Sequence, residues 1–150
     1  MSTIHASAVL VGAKAALIRG PAGAGKSQLV WQLLQAAAQS AEFGAPRFAR
    51  LVADDRAHIE ACGGRLLARP AEALAGMLEI RGLGIRRLPY EPVAVVGFAV
   101  DLAAADAERY PASEAEKTSI DGVFLPRLAV APGQPALAAV LAYLSTSPLG

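Results

Sequence analysis

Apolar positions along the chain fall into short alternations and runs, with one stretch at helical spacing. His5 to Val11 alternates loosely, Gly12-Ala13 interrupts it, and Ala15 to Arg19 is apolar again, which predicts a hairpin. Ser27 to Ala38 carries Leu29, Val30, Leu33, Leu34 and Ala37 on one face, the spacing of an amphipathic helix. Trp31 falls off that stripe, leaving a second packing layer and a subunit contact both open. Ala41 to Pro46 reads as a loop, and Phe48 to Ala53 as a buried strand interrupted by Arg50. Ala57 to Cys62 and Arg65 to Arg69 flank Gly63-Gly64, a strong hairpin signal. Pro70 can open a short helix at Ala71 to Leu74. Met77 to Ile80 and Val93 to Leu102 read as strands, with Gly82, Gly84 and Pro89 between them. Ala103 to Thr118 is polar and alanine-rich, the best candidate for a mobile segment. Val123 to Ala131 is strand-like, and Pro132-Gly133 turns the chain into a closing helix, Pro135 to Leu144. This order predicts an α/β fold over residues 1–150 as a single domain: a mixed β-sheet with hairpins and flanking helices.

Composition narrows the function classes. With 150 residues and 54% hydrophobic residues, the chain can bury a substantial core. A formal net charge of +1 gives no electrostatic reason to expect nucleic acid or an anionic membrane as partner. The apolar run from Val93 to Val100 stops at Asp101, too short to span a bilayer. The start MSTIHASAVL lacks a basic secretory n-region, so the expected location is cytoplasmic. A single cysteine, Cys62, rules out a disulfide framework and a cysteine-based metal site.

The segment Gly20-Pro21-Ala22-Gly23-Ala24-Gly25-Lys26-Ser27 satisfies G-x-x-x-x-G-K-[ST] in full. Glycines let the backbone N–H groups curl around phosphate oxygens, and the helix that follows aims its positive end at the anion. In such a loop Lys26 reaches the β- and γ-phosphates and the Ser27 hydroxyl holds Mg²⁺. A chance glycine-rich turn is the plain alternative in a chain with 14 glycines. Against it, the only lysines are Lys14, Lys26 and Lys117, and one falls on the motif position between a strand and a helix. The loop implies a nucleoside triphosphate; it does not separate kinase, GTPase and motor.

Two further clusters bear on chemistry. Asp54 and Asp55 follow the Phe48 to Ala53 strand, where a phosphate-loop protein needs a carboxylate, either as metal partner or as base for a substrate hydroxyl. Consecutive strand residues point to opposite faces, so one of the two is expected to face the phosphates squarely. Solvated turn aspartates are the plain alternative. In Leu78-Glu79-Ile80-Arg81-Gly82-Leu83-Gly84-Ile85, Glu79 and Arg81 share one strand face. A carboxylate there can bind Mg²⁺ and an arginine can neutralise phosphoryl charge. An exposed ion pair worth under about 1 kcal/mol is the plain alternative.

"HASAVLV", "GPAGAGKS", "RLVADD" and "LEIRGLGI", in this order from His5 to about Leu144, resemble the catalytic domain of bacterial HPr kinase/phosphorylase. LEIRGLGI is the most specific part. The resemblance implies a P-loop kinase core similar to phosphoenolpyruvate carboxykinase, in the short proteobacterial form that lacks the N-terminal domain. It implies ATP-dependent phosphorylation of a serine on HPr, the phosphocarrier of the sugar phosphotransferase system, by a hexamer. In many members it also implies the reverse attack of inorganic phosphate on phosphoserine. Carried over by position, it makes Asp54 the catalytic aspartate and Lys26 the active lysine. It also makes Ser27 and Glu79 the Mg²⁺ ligands, and His5 a histidine near the aspartate. Arg109, in "ERYP", falls where the family has an active arginine. Arg81 is a further candidate for the equatorial oxygens, and Asp55 a neighbour that tunes Asp54.

The sequence departs from the family where a basic "RPGR"-like stretch is tied to dephosphorylation: here it is Ala131-Pro132-Gly133-Gln134. Losing two positive charges weakens binding of an incoming phosphate, so the phosphorylase direction is expected to be reduced or absent. A non-catalytic nucleotide sensor and a small-molecule kinase of the carboxykinase type are the rival readings; the second needs a basic acid-binding cluster, for which Arg86-Arg87 is a thin candidate. His58 reads as a surface residue and Cys62 as an unreactive thiol.

Overall fold

The computed structural model describes residues 1–39, 46 and 48–149; the expected loop from Ala41 to Pro46 therefore lies, but for its last residue, outside the described residues. Strands β1 (Ser2–Ile4), β2 (Ala6–Val11) and β3 (Lys14–Arg19) precede helix α1 (Lys26–Gln39). Strands β4 (Ala49–Ala53), β5 (Ala57–Cys62) and β6 (Arg65–Pro70) follow, then a 3₁₀ turn at Glu72–Leu74. Next come β7 (Met77–Ile80), β8 (Gly84–Arg87) and the long β9 (Ala94–Asp101). A 3₁₀ turn at Ser113–Glu116, β10 (Lys117–Ile120), β11 (Val123–Ala129) and helix α2 (Ala136–Ser145) complete the order.

Among the described residues, one mixed sheet runs β1-β5-β6-β9-β3-β2-β4, with β11 also paired to β9 and β10 to β11; β7 and β8 form a separate ribbon. Both β3 and β4 run antiparallel to β2, while β9 runs parallel to β3 and β11 parallel to β9. The C-terminal ends of β3, β4, β9 and β11 therefore meet at one edge, where open α/β sheets place their ligands. The α/β expectation, a mixed sheet with hairpins and flanking helices, is met.

The sheet has an apolar layer on each face. One holds Ala8, Leu17, Val52, Ile59, Leu66 and Val96. The other packs α1, through Leu29, Val30 and Leu33, and α2, through Val140 and Leu141, against Val9, Ile18, Leu51, Phe98 and Val100. Full burial of each large apolar side chain contributes about 1.5–3 kcal/mol. Trp31 is half-buried against this helical layer.

Two bulges set which layer each strand end faces. The β3–β9 register passes from Ala15↔Val96 to Ala16↔Phe98, so Gly97 is an extra residue. Val96 consequently points into one layer and Phe98 into the other. A Cβ on Gly97 would lie 2.9 Å from the Lys14 Cβ, so the crowded bulge accepts only glycine without a shift. On β4 the register passes from Val9↔Leu51 to Ala8↔Ala53, leaving Val52 extra two residues before Asp54.

Three strands escaped the sequence pattern. β1 is too short to show an alternation. β8 is exposed along its length, so no apolar face marks it. β10 pairs with β11 across Asp121-Gly122, whose φ of 48° and 80° suit a tight hairpin turn.

The segment from Ala103 to Thr118 is held from a distance. Arg127 on β11 donates two bonds of 2.9 Å to the Asp106 carboxylate and one of 3.0 Å to the Ala115 carbonyl, and it also bonds Asp101. Asp101 in turn accepts from Arg19 at 2.7 and 2.9 Å. The hydrogen bonds from Arg127 hold the Asp106 carboxyl below its ordinary value of 3.8. A depressed carboxyl contributes stability above its unfolded value and loses it as pH falls through the folded one. The side-chain carboxyl carbon of Asp106, followed by NMR, should therefore titrate below about pH 3.8, and Arg127→Gln should raise that midpoint. A step at higher pH in wild type would contradict the clamp.

Candidate active site

At the shared edge, the turn from β3 into α1 forms a glycine-rich loop. Gly23 and Gly25, at φ of 83° and 99°, take the left-handed backbone that lets the loop curl before the helix begins at Lys26. Gly20 is packed so closely that a Cβ there would stand 3.2 Å from both the Leu102 and Ala24 Cβ atoms. Lys26 is 8% exposed. Its Nζ donates to the carbonyl oxygens of Gly20 at 2.8 Å and Pro21 at 3.3 Å. Among the described residues it has no carboxylate partner. A near-buried cation held only by neutral carbonyls is costly unless an anion completes its shell.

Asp54 faces that loop from the end of β4. Its Oδ1 accepts the Ser27 hydroxyl at 2.6 Å and the Ser7 hydroxyl at 2.9 Å; its Oδ2 accepts the Glu79 main-chain N–H at 3.2 Å. The two aspartates part by a different device from strand alternation. β4 ends at Ala53, and Asp55 adopts a left-handed φ of 65°. Asp55 thus turns toward His5, 3.8 Å away, with both side chains largely exposed. An ion pair so exposed contributes little.

A cavity of about 640 Å³ joins these groups. It is lined by Ala22, Gly23, Gly25, Lys26 and Ser27 of the loop, by Asp54 and Asp55 after β4, and by Glu79 and Arg81 of the β7–β8 ribbon and its turn. Trp31, Leu74, Met77, Ile80 and Ile85 add an apolar wall. The structure therefore brings together Lys26, Ser27, Asp54, Asp55, Glu79 and Arg81. It leaves Gly20, Pro21 and Ala24 in the loop behind the lining, and His5 beyond Asp55. Arg109 does not join: it lies outside the lining, with its guanidinium 5.5 Å from the exposed Tyr110 ring. Arg86 and Arg87, the candidate acid-binding pair, also lie outside the cavity. Sequence reasoning overlooked Ser7, fully buried on β2, because nothing in an apolar strand signals a partner 47 positions away.

Fold and site together define an α/β protein with a phosphate-type glycine loop facing an aspartate at one edge of a mixed sheet. Its fold is that of the Hpr(Ser) kinase/phosphatase of Coxiella burnetii, which superposes with a TM-score of 0.72 at 21% identity over 95% of each chain. The HPr kinase/phosphorylase of Clostridium beijerinckii is 37% identical over 82 residues, 55% of this chain and 24% of that protein. The enzyme of the same name from Streptococcus thermophilus is 38% identical over 85 residues, again 24% of its length. The chain thus spans about a quarter of the curated relatives it matches. No family model matches. Among the described residues, no helix is long and apolar enough to cross a membrane.

Proposed function

We propose that the chain is an ATP- and Mg²⁺-dependent kinase that phosphorylates a serine of the phosphocarrier HPr. The observation that carries the reading is Lys26: a near-buried lysine with no carboxylate partner among the described residues, in a glycine loop that faces Asp54. A triphosphate supplies the anion this lysine lacks. The fold likeness and the names of the matching relatives supply the choice of acceptor.

Each residue then has a task. Loop N–H groups and Lys26 bind the triphosphate. Ser27, Asp54 and Glu79 are hard oxygen donors lining one cavity, a set suited to Mg²⁺ shared with phosphate oxygens. Ser27 and Glu79 would hold the ion, which when bound neutralises phosphate charge. Asp54 accepts the proton of the serine hydroxyl, and Arg81 offsets charge on the equatorial oxygens. Asp54 Oδ2 suits the proton-accepting role, since it takes a single described hydrogen bond while Oδ1 takes two.

The reverse direction is expected to be weak. Where the family carries basic residues, Gln134 spends its Oε1 on the Ala131 N–H at 3.0 Å, closing a turn before α2. Phosphoserine-HPr incubated with inorganic phosphate and Mg²⁺ should release little pyrophosphate; brisk release would overturn this point. The kinase reading itself is tested by incubating the protein with γ-labelled ATP and the phosphocarriers of its host, then mapping the modified residue. Label on an HPr serine supports it, whereas label confined to a small molecule or to nothing contradicts it.

A further inference from the structure

Ser7 is the one fully buried polar side chain among the described residues, and the chemistry outlined above has no use for it. It sits on β2 between Ala6 and Ala8, both also fully buried. Packing alone favours an apolar residue there, because burying a hydroxyl costs free energy unless it is hydrogen-bonded. Ser7 is fully bonded: its Oγ donates to Asp54 Oδ1 at 2.9 Å and accepts the Asp55 N–H at 3.1 Å. The second bond fixes the sense of the first. A main-chain N–H only donates, so the Ser7 oxygen must accept from Asp55, and its proton is left for Asp54. The β4 bulge at Val52 brings the strand end into this register, since Ala53 pairs with Ala8, the neighbour of Ser7.

We propose that Ser7 is a positioning residue that fixes the carboxylate plane of Asp54, so that Oδ2 rather than Oδ1 meets the acceptor hydroxyl. The inference rests on the kinase reading and adds a residue to it. Its weight comes from Ser27. Ser27 also holds Oδ1, at 2.6 Å. In the proposed reaction the Ser27 hydroxyl is committed to the metal. Ser7 is then the remaining side-chain donor that pins Oδ1. A carboxylate free to rotate loses the alignment on which a positioned base depends.

The test pairs kinetics with structure. Ser7→Ala should bind ATP within about 3-fold of wild type yet lower kcat for HPr phosphorylation by about 10- to 100-fold, the usual cost of losing an orienting partner. Ser7→Thr, which keeps the hydroxyl, should recover most of the rate. In an Asp54→Asn background, Ser7→Ala should cost nothing further, because the residue acts through Asp54. A crystal structure of Ser7→Ala with Mg²⁺ and a non-hydrolysable ATP analogue, which draws the Ser27 hydroxyl away, should show the Asp54 carboxylate rotated from its plane in the wild-type complex. An unchanged kcat, an additive loss in the double variant, or an unmoved carboxylate overturns the proposal. If the wild-type protein phosphorylates no HPr, the kinase reading fails separately, and the orientation of Asp54 in the Ser7→Ala crystal still decides the role of Ser7.

Discussion

Asp54→Asn is expected to bind ATP with near wild-type affinity and to transfer phosphate to HPr about 10²- to 10³-fold more slowly. General-base contributions of 10²–10⁴ set the scale, and the loose transition state of phosphoryl transfer keeps the loss toward the lower end. Asparagine cannot take the proton. It also disturbs the local bonding: three donors converge on the Asp54 oxygens, and an amide offers a single oxygen. Whichever way the amide is turned, its NH₂ meets a donor. With the amide oxygen at the Oδ1 position the Ser7 and Ser27 bonds are kept, and the NH₂ meets only the long, exposed Glu79 N–H contact of 3.2 Å, so the fold should survive. A fluorescence titration of nucleotide beside a transfer assay separates the two effects, and a wild-type transfer rate would refute the role given to Asp54.

Lys26→Ala should impair binding and transfer together. Lys26 is 8% exposed and its ammonium bonds the loop carbonyls, so its removal deletes a charge from the phosphate cradle. An electrostatic group of this kind contributes about 3–4 kcal/mol to the transition state, or roughly 10²- to 10³-fold in kcat/KM. Part of that loss should appear as weaker nucleotide binding, which Asp54→Asn spares. The contrast also separates the kinase from a nucleotide sensor. A sensor loses its signal with Lys26 and keeps it with Asp54 replaced; a kinase loses transfer in both. Calorimetric titration of both variants checks the split, and wild-type ATP affinity in Lys26→Ala would remove the loop from the nucleotide site.

Local features of the fold were legible in the sequence. The strand–loop–helix around Lys26 announces itself because the motif, the apolar lead-in and the helical stripe are contiguous. Gly63-Gly64 and the β2–β3 hairpin are written in turn chemistry of the same short range. Features that depend on distant pairing were not legible. The left-handed backbone of Asp55 and the bulge at Val52, not strand alternation, separate the two aspartates. Composition marked Ala103 to Thr118 as a mobile stretch because the clamp on it, Arg127, lies beyond the segment it holds. Asp121-Gly122 was readable as a hairpin signal, but polar neighbours masked the short β10. Arg109 came from positional likeness alone, and the structure sets it apart from the cavity. Ser7 had no signal at all in one sequence.

The central claim is that the loop at Lys26 and the carboxylate of Asp54 form one site for phosphoryl transfer to a protein serine. A single-turnover experiment tests it most directly. Enzyme preloaded with γ-labelled ATP and Mg²⁺ is mixed with excess HPr, and the label is followed over time. The account predicts that label passes from ATP to HPr as an acid-stable phosphoserine, at a rate that collapses in Asp54→Asn. Label that stays on ATP, leaves only as inorganic phosphate, or reaches HPr equally fast in Asp54→Asn would contradict it.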